Sequence, residues 1–387
     1  MPFDQRRAAV VMAGFAAFLN LYPPQALLPQ LEQAFGVGSG GATVTVSAGA
    51  LSVALLAPFA GIVADIVGRA RVMAIAMTGL GLATILSGTA NSVGEMLFWR
   101  FACGLFVPGI VAAAAGSLGD DPDPGHAVRA AGQYIAGTVL GGFSGRFLAG
   151  FITEYLGWRA AFYGIGGLTL ALLPVVIPGI RLAGRSHPPP RPRDAFRAAA
   201  AHLGNRRLLA AFSIGFGLLF ALVGTFTYAA LHLAAPPYSL SPAAIGSVFA
   251  VYLVGVALTP FTGKWVAAHG RRKVATVGMT FAILGILLTL LGGVPVIITG
   301  LAVSCGGTFM LQALATGFVP TAATQAKSAA VGLYTSAYYF GGSVGAIAPS
   351  LVWQRFGWPG CVAFLVIVHL TLLLVARRLW SPRHSPD

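Results

Sequence analysis

The sequence predicts an all-α integral membrane protein whose twelve transmembrane helices form two pseudo-symmetric six-helix bundles. Three observations carry this expectation. The 387 residues are 57% hydrophobic and only 9% charged, with a mean hydropathy of +0.81, whereas soluble domains carry roughly 25% charged residues. Apolar runs close to the roughly 20 residues that cross a hydrocarbon core recur twelve times along the chain. The later runs also repeat the earlier ones at an offset of 200 residues.

The runs fall near 8–28, 43–64, 71–90, 94–117, 128–153 and 160–180, then near 208–232, 243–263, 273–292, 295–318, 329–352 and 359–379. Arg6 and Arg7 ahead of the first run superficially resemble the start of a signal peptide. No small-residue cleavage site follows and eleven more apolar runs do, so the run is read as a retained first helix. The polar stretch 181–207 holds Pro188, Pro189, Pro190 and Pro192 among seven arginines. It reads as a basic, Pro-rich cytoplasmic linker between an N-terminal bundle, 1–180, and a C-terminal bundle, 208–387. Its charge suits contact with anionic headgroups.

Charge orients the chain. With the N-terminus inside, the inner segments hold 20 of the 24 Lys and Arg residues, as the bias of cytoplasmic loops toward Lys and Arg requires. Arg159 and Arg355 lie in outer segments, and Arg100 and Arg146 lie within spans. Both termini are therefore expected in the cytoplasm. The net charge of +14 does not point to nucleic acid. Phosphate-binding patches need solvated basic residues among polar groups, and here they sit in short breaks between apolar runs. Cys103, Cys305 and Cys361 are far apart, odd in number and in no metal-ligand spacing, so they read as small buried hydrophobes. No cofactor or metal is expected.

The repeat decides the architecture. Residues 130–158 align without gaps to 330–358, with identities at Ala130, Gly132, Tyr134, Gly141, Gly142, Gly145, Gly157 and Trp158. GIVADIVGRARV at 61–72 pairs with GKWVAAHGRRKV at 263–274. An even number of helices per repeat gives both halves the same orientation in the membrane. This predicts an axis along the membrane normal and a site where the halves meet.

These residues also carry a family resemblance. Gly61, Asp65, Gly68, Arg69 and Arg71 resemble the loop 2–3 signature of the major facilitator superfamily, with a weaker echo at 263–274. Arg100 with Gly104 resembles its RxxxG motif in the fourth span. Gly137, Gly141 and Gly145 resemble the glycine-rich fifth span of its drug:proton antiporter branch, although Arg146 follows Gly145 where that branch has Pro. The resemblance covers the whole chain. It implies a monomeric bacterial inner-membrane efflux permease for a small-molecule solute, with a proton as coupling ion.

Asp65 stands at the cytoplasmic end of its helix, where the helix dipole disfavours an acid. It therefore needs a partner. Arg69 lies one turn on, and the resemblance implies a latch to the N-terminus of the eleventh helix. Gly61, Asp65, Gly68, Arg69 and Arg71 are thus gating candidates, against a plain i,i+4 pair worth about 0.3–0.5 kcal/mol. Gly137, Gly141 and Gly145 share one helix face and permit close backbone approach. They join the gating set as a smooth surface on which one bundle rocks against the other, with packing alone as the competing reading.

Arg100 and Arg146 are the sharpest signals, since a cation inside a span costs at least ~2.5–3.5 kcal/mol. Either they face a wet cavity, or they are held by Glu95, Glu154, backbone carbonyls or the outer interface. With Asn20, Tyr22, Gln25, Tyr134, Tyr228, Tyr252, Gln312, Tyr334 and Tyr338 they form the candidate solute-binding set, a mostly apolar pocket with a few polar anchors. No Asp or Glu lies mid-span. The missing acid argues against the usual exchange of a proton for a cation and favours an anionic or neutral solute.

The leading expectation is a secondary transporter working by alternating access, with an organic-anion transporter as the rival. No Walker A loop is present. A membrane-embedded enzyme would need paired acids, and Asp120, Asp121 and Asp123 form only one cluster, read as a solvated turn. A scaffold protein would show no substrate-dependent flux.

Overall fold

The computed structural model describes residues 2–119, 124–181, 200–323 and 325–380. Asp120, Asp121 and Asp123, the prolines of the basic linker, its Arg185, Arg191, Arg193 and Arg197, and Arg383 near the C-terminus lie outside the described residues. Among the described residues every regular element is helical. Within lipid, a backbone that satisfies its own hydrogen bonds leaves few alternatives.

The chain divides into two compact units, one of Met1–Arg191 with Leu240–Ser247 and one of Pro192–Ser239 with Val248–Asp387. The first contains α1 (Pro2–Leu21), a 3-10 turn (Pro23–Ala26), α2 (Leu28–Phe35), α3 (Ser39–Val67) and α4 (Arg69–Ser87). It continues with α5 (Val93–Gly119), α6 (Pro124–Leu156), α7 (Trp158–Ala171) and α8 (Leu173–Arg181). The second contains α9 (Arg206–Ala234). A short α10 (Pro242–Val248), which packs with the first unit, leads into α11 (Tyr252–His269). Then come α12 (Arg271–Leu288), α13 (Val294–Ala322), α14 (Lys327–Ile347) and α15 (Ser350–Leu379).

Ten helical stretches among the described residues are long and apolar enough to cross a membrane, α7–α8 and α10–α11 each counting once. α1 and α14, with 20 and 21 residues, are also of spanning length and bring the set to twelve. Several boundaries differ from expectation, and proline accounts for two of them. The first span ends at Leu21 rather than 28 because Pro23 and Pro24 follow. The eleventh ends at Ile347, before Pro349, and α15 already begins at Ser350, bending at Gly357 (φ 57°, ψ −148°).

The sequence repeat has a conformational basis. Gly68 and its twin Gly270 (φ 96° and 78°), like Gly157 and Gly357 (φ 83° and 57°), turn the chain in a region that side chains rarely enter. The glycine face of α6 is equally physical. A Cβ at Gly137 would lie 2.7 Å from the Val11 carbonyl oxygen, and one at Gly141 or Gly145 would collide with that of Phe15 or Leu19. In the second unit Gly341 and Gly345 meet the Phe216 and Phe220 carbonyls in the same way. In each unit one seam therefore runs backbone against backbone, α6 on α1 and α14 on α9.

Candidate functional site

The candidate site grows from the break after α1. In an α-helix the carbonyl of residue i accepts from the amide of residue i+4. For Asn20 that residue is Pro24, which has no N–H. For Leu21 it is Gln25, whose N–H goes instead to the Tyr22 carbonyl at 3.1 Å. Arg100 Nη2 donates to both stranded carbonyls, each at 2.6 Å. Arg100 is completely buried, and it is the eighth residue of α5, about 10 Å in from the start of that helix. Its Nη1 donates to Cys103 Sγ at 3.6 Å and its Cζ lies 5.8 Å from the Phe162 ring centroid. Its Nε has no hydrogen-bond partner among the described residues. One turn on, a Cβ at Gly104 would collide with the Gly49 carbonyl oxygen. The RxxxG spacing thus ties α5 to α1 through its arginine and seats it on α3 through its glycine.

Arg146 holds the other side of the break. Its Nε donates to Gln25 Oε1 at 2.7 Å and its Nη1 to the Gly142 carbonyl at 2.5 Å. Its Cζ lies 4.6 Å from the Tyr22 ring centroid, within cation–π range. Asn20 Nδ2 donates to the Ala16 carbonyl and to Thr169 Oγ1, both at 2.7 Å. Asn20 Oδ1 and the Tyr22 hydroxyl are buried with no hydrogen-bond partner among the described residues. Asn20, Tyr22, Gln25, Arg100 and Arg146 therefore form one cluster at membrane depth. Cations from two helices grip a six-residue segment that contains non-helical backbone, and unsatisfied polar atoms remain between them. Such an arrangement can hold an anion or a hydrogen-bonding neutral molecule, and it resists a cation.

The remaining expected binding residues are not in this cluster. Tyr134 lies over Gly14 of α1, where a Cβ would stand 2.7 Å from its ring, and its hydroxyl has no hydrogen-bond partner among the described residues. Its twin Tyr334 covers Gly215 in the same manner, accepts from Thr316 Oγ1 at 3.4 Å and stacks on Tyr338 at 6.2 Å. The Tyr228 hydroxyl donates to the Ala346 carbonyl at 3.1 Å, where Pro349 ends the regular bonding of α14. Tyr252 is buried among Phe226, Phe249 and Phe309, and Gln312 is half-buried on α13.

Among the gating candidates, Gly68 makes the α3–α4 turn, while Gly61 and Arg71 are exposed. Asp65 is half-buried two residues from the end of α3. Arg69 Nη1 reaches across to α5 and donates to the Gly116 carbonyl at 2.7 Å. Gly137, Gly141 and Gly145 lie against α1 inside their own unit, where carbonyl oxygens of α1 occupy the space that side chains would need.

Sequence reasoning missed the role of Glu154. Its Oε2 accepts from Ser241 Oγ at 2.7 Å and from the Ala243 amide at 2.9 Å, so an α6 carboxylate caps α10. Gly150 and Gly246 remove the side chains that would keep those two helices apart. The Ser241-Pro242 pair was the available signal, being a helix-start sequence with orphan amides to satisfy.

Comparison with known proteins gives consistent matches. The family model described as Major Facilitator Superfamily matches residues 10–236 and 219–387. The MFS-type transporter YybF of Bacillus subtilis (strain 168) is 31% identical over 382 residues, covering 98% of this chain and 94% of that one. The inner membrane transport protein YnfM of Escherichia coli (strain K12) is 30% identical over 379 residues, covering 97% and 91%. A bacterial homolog of the human lysosomal transporter Spinster, solved inward-facing and unoccupied, superposes with a TM-score of 0.78 over 100% of this chain and 99% of its own, at 16% identity. That last likeness bears on the fold.

Proposed function

The chain belongs to the major facilitator superfamily, and from that premise we propose that this membrane transporter is a secondary active efflux permease for a small molecule, working by alternating access. The observation that carries the reading is the buried cluster at the broken first span. Non-helical backbone at membrane depth is tolerated where protein or a wet cavity surrounds it, and interrupted helices form solute sites in transporters. Asn20, Tyr22, Gln25 and Arg146 supply the solute contacts, and Arg100 shapes the segment that presents them. Tyr134 and, in the second unit, Tyr228, Tyr252, Gln312, Tyr334 and Tyr338 complete the proposed binding set. Gly61, Asp65, Gly68, Arg69 and Arg71, with the α6 glycines Gly137, Gly141 and Gly145, form the proposed gating set. The charge bias of the loops supports cytoplasmic termini and a plasma-membrane location, and a monomer is the working unit.

A second reading has its own observation. Two buried guanidiniums, with Asp65, Glu95 and Glu154 all within a few residues of helix ends, give the cluster a positive field that favours an organic anion. Flux in proteoliposomes separates the two, using anionic, neutral and cationic solutes with and without a pH gradient. An anion transporter loses most of its flux in Arg146→Gln and keeps part of it in Arg146→Lys. Proton coupling appears as accumulation driven by the pH gradient. Flux of every responsive solute left unchanged by Arg146→Gln would remove Arg146 from the site.

A further inference from the structure

The second unit contains a cavity of about 620 Å³ that none of the expected site residues lines. Its walls are one face of α11, at Val254, Leu258, Trp265 and His269, and one face of α12, at Lys273, Val277 and Phe281. α11 and α12 each pack on α13 and only lightly on each other, so they leave a groove floored by α13 at Gly306 and Gly307. Val254, Trp265, Val277 and Phe281 are between a third and a half exposed. In a membrane chain such apolar surface faces lipid.

We infer that this groove is a binding site for one anionic phospholipid from the leaflet that meets the Gly270 turn. Length supports that occupant. From Val254 to His269 the groove runs roughly 22 Å along the helix, enough for the ~15 Å of hydrocarbon in one leaflet. Charge supports it as well. His269 and Lys273 line the end at Gly270, Lys264, Arg271 and Arg272 stand exposed beside it, and no acidic side chain among the described residues lines the cavity. Basic pockets between membrane helices bind anionic headgroups in this way.

Trp265 supplies the readout. The full-length protein is reconstituted in phosphatidylcholine bilayers, and brominated phosphatidylglycerol or brominated phosphatidylcholine is titrated in. Quenching that disappears in Trp265→Phe belongs to the groove. That component reaches half-quenching at about fivefold lower mole fraction of phosphatidylglycerol than of phosphatidylcholine, the discrimination of one well-placed lysine. Lys273→Gln reduces the preference below twofold, and Val277→Phe, at an exposed position, makes quenching by both lipids shallower. Equal midpoints in the unaltered protein, an unchanged preference in Lys273→Gln, or a Trp265 that neither lipid reaches would each overturn the assignment. The assay reads no flux, so its result stands apart from that of the proposed function.

Discussion

The carbonyl of Asn20 accepts a hydrogen bond from Arg100 Nη2 at 2.6 Å, and the Leu21 carbonyl accepts from the same nitrogen. A guanidinium eighty residues away thus replaces the amides that Pro24 and the 3-10 turn withhold.

Arg100→Met leaves two buried carbonyls without donors, at about 1–3 kcal/mol each. The expected loss of stability is roughly 3 kcal/mol, read as a lower melting temperature in detergent, and Arg100→Lys, which keeps donors, loses less. Unchanged melting in Arg100→Met would show that the cap is not structural.

Pro24→Ala returns an N–H to the position that Asn20 would use in an unbroken helix. The two substitutions therefore couple. The double variant Pro24→Ala with Arg100→Met should lose less stability than the two single losses added together, by about 1 kcal/mol. Strict additivity in the same melting assay would separate the proline break from the arginine.

Gly141→Ala places a methyl against the Phe15 carbonyl oxygen. Forced apart, α6 and α1 lose about 1–3 kcal/mol. Gly341→Ala, against Phe216, behaves alike. A Cβ at Gly132 meets nothing within 4 Å, so Gly132→Ala should stay within about 0.5 kcal/mol of the unaltered protein. Similar melting for Gly132→Ala and Gly141→Ala would contradict the seam.

Glu32 stands half-buried on α2, and desolvation raises its pKa above the ordinary 4.5. The folded state then binds the proton more tightly than the unfolded state. Stability from this group is complete below the unfolded value and falls as pH rises through the folded one. Glu32→Gln, which carries no charge, should be more stable than the unaltered protein at pH 8, with the advantage vanishing near pH 4. Melting curves across that range decide it, and an advantage independent of pH would count against burial as the cause.

Much of the fold was legible because a bilayer imposes its requirement on every span. An apolar stretch of spanning length must form a helix that satisfies its own backbone, so composition alone locates it. The first span shows the boundary of that logic. A run of spanning length extends to residue 28, yet the helix stops at Leu21, because Pro23 and Pro24 lack the amide hydrogens that would continue it. The twinned glycines were also visible, although not what they touch. Gly137, Gly141 and Gly145 announce a close approach, and only the packed bundle identifies α1 as the surface approached.

The site was legible as a set of residues and not as an arrangement. By itself the sequence determined the spans, the repeat, and the fact that Arg100 and Arg146 need acceptors inside the membrane, since an unsolvated cation there is too costly to leave alone. The tertiary structure decided what accepts them: for Arg100 the carbonyls of Asn20 and Leu21, for Arg146 the side chain of Gln25 and the carbonyl of Gly142. Three of those four acceptors are backbone oxygens, which every residue carries. No pattern of side chains marks them until folding strands two beside a proline and brings a distant helix to cover them.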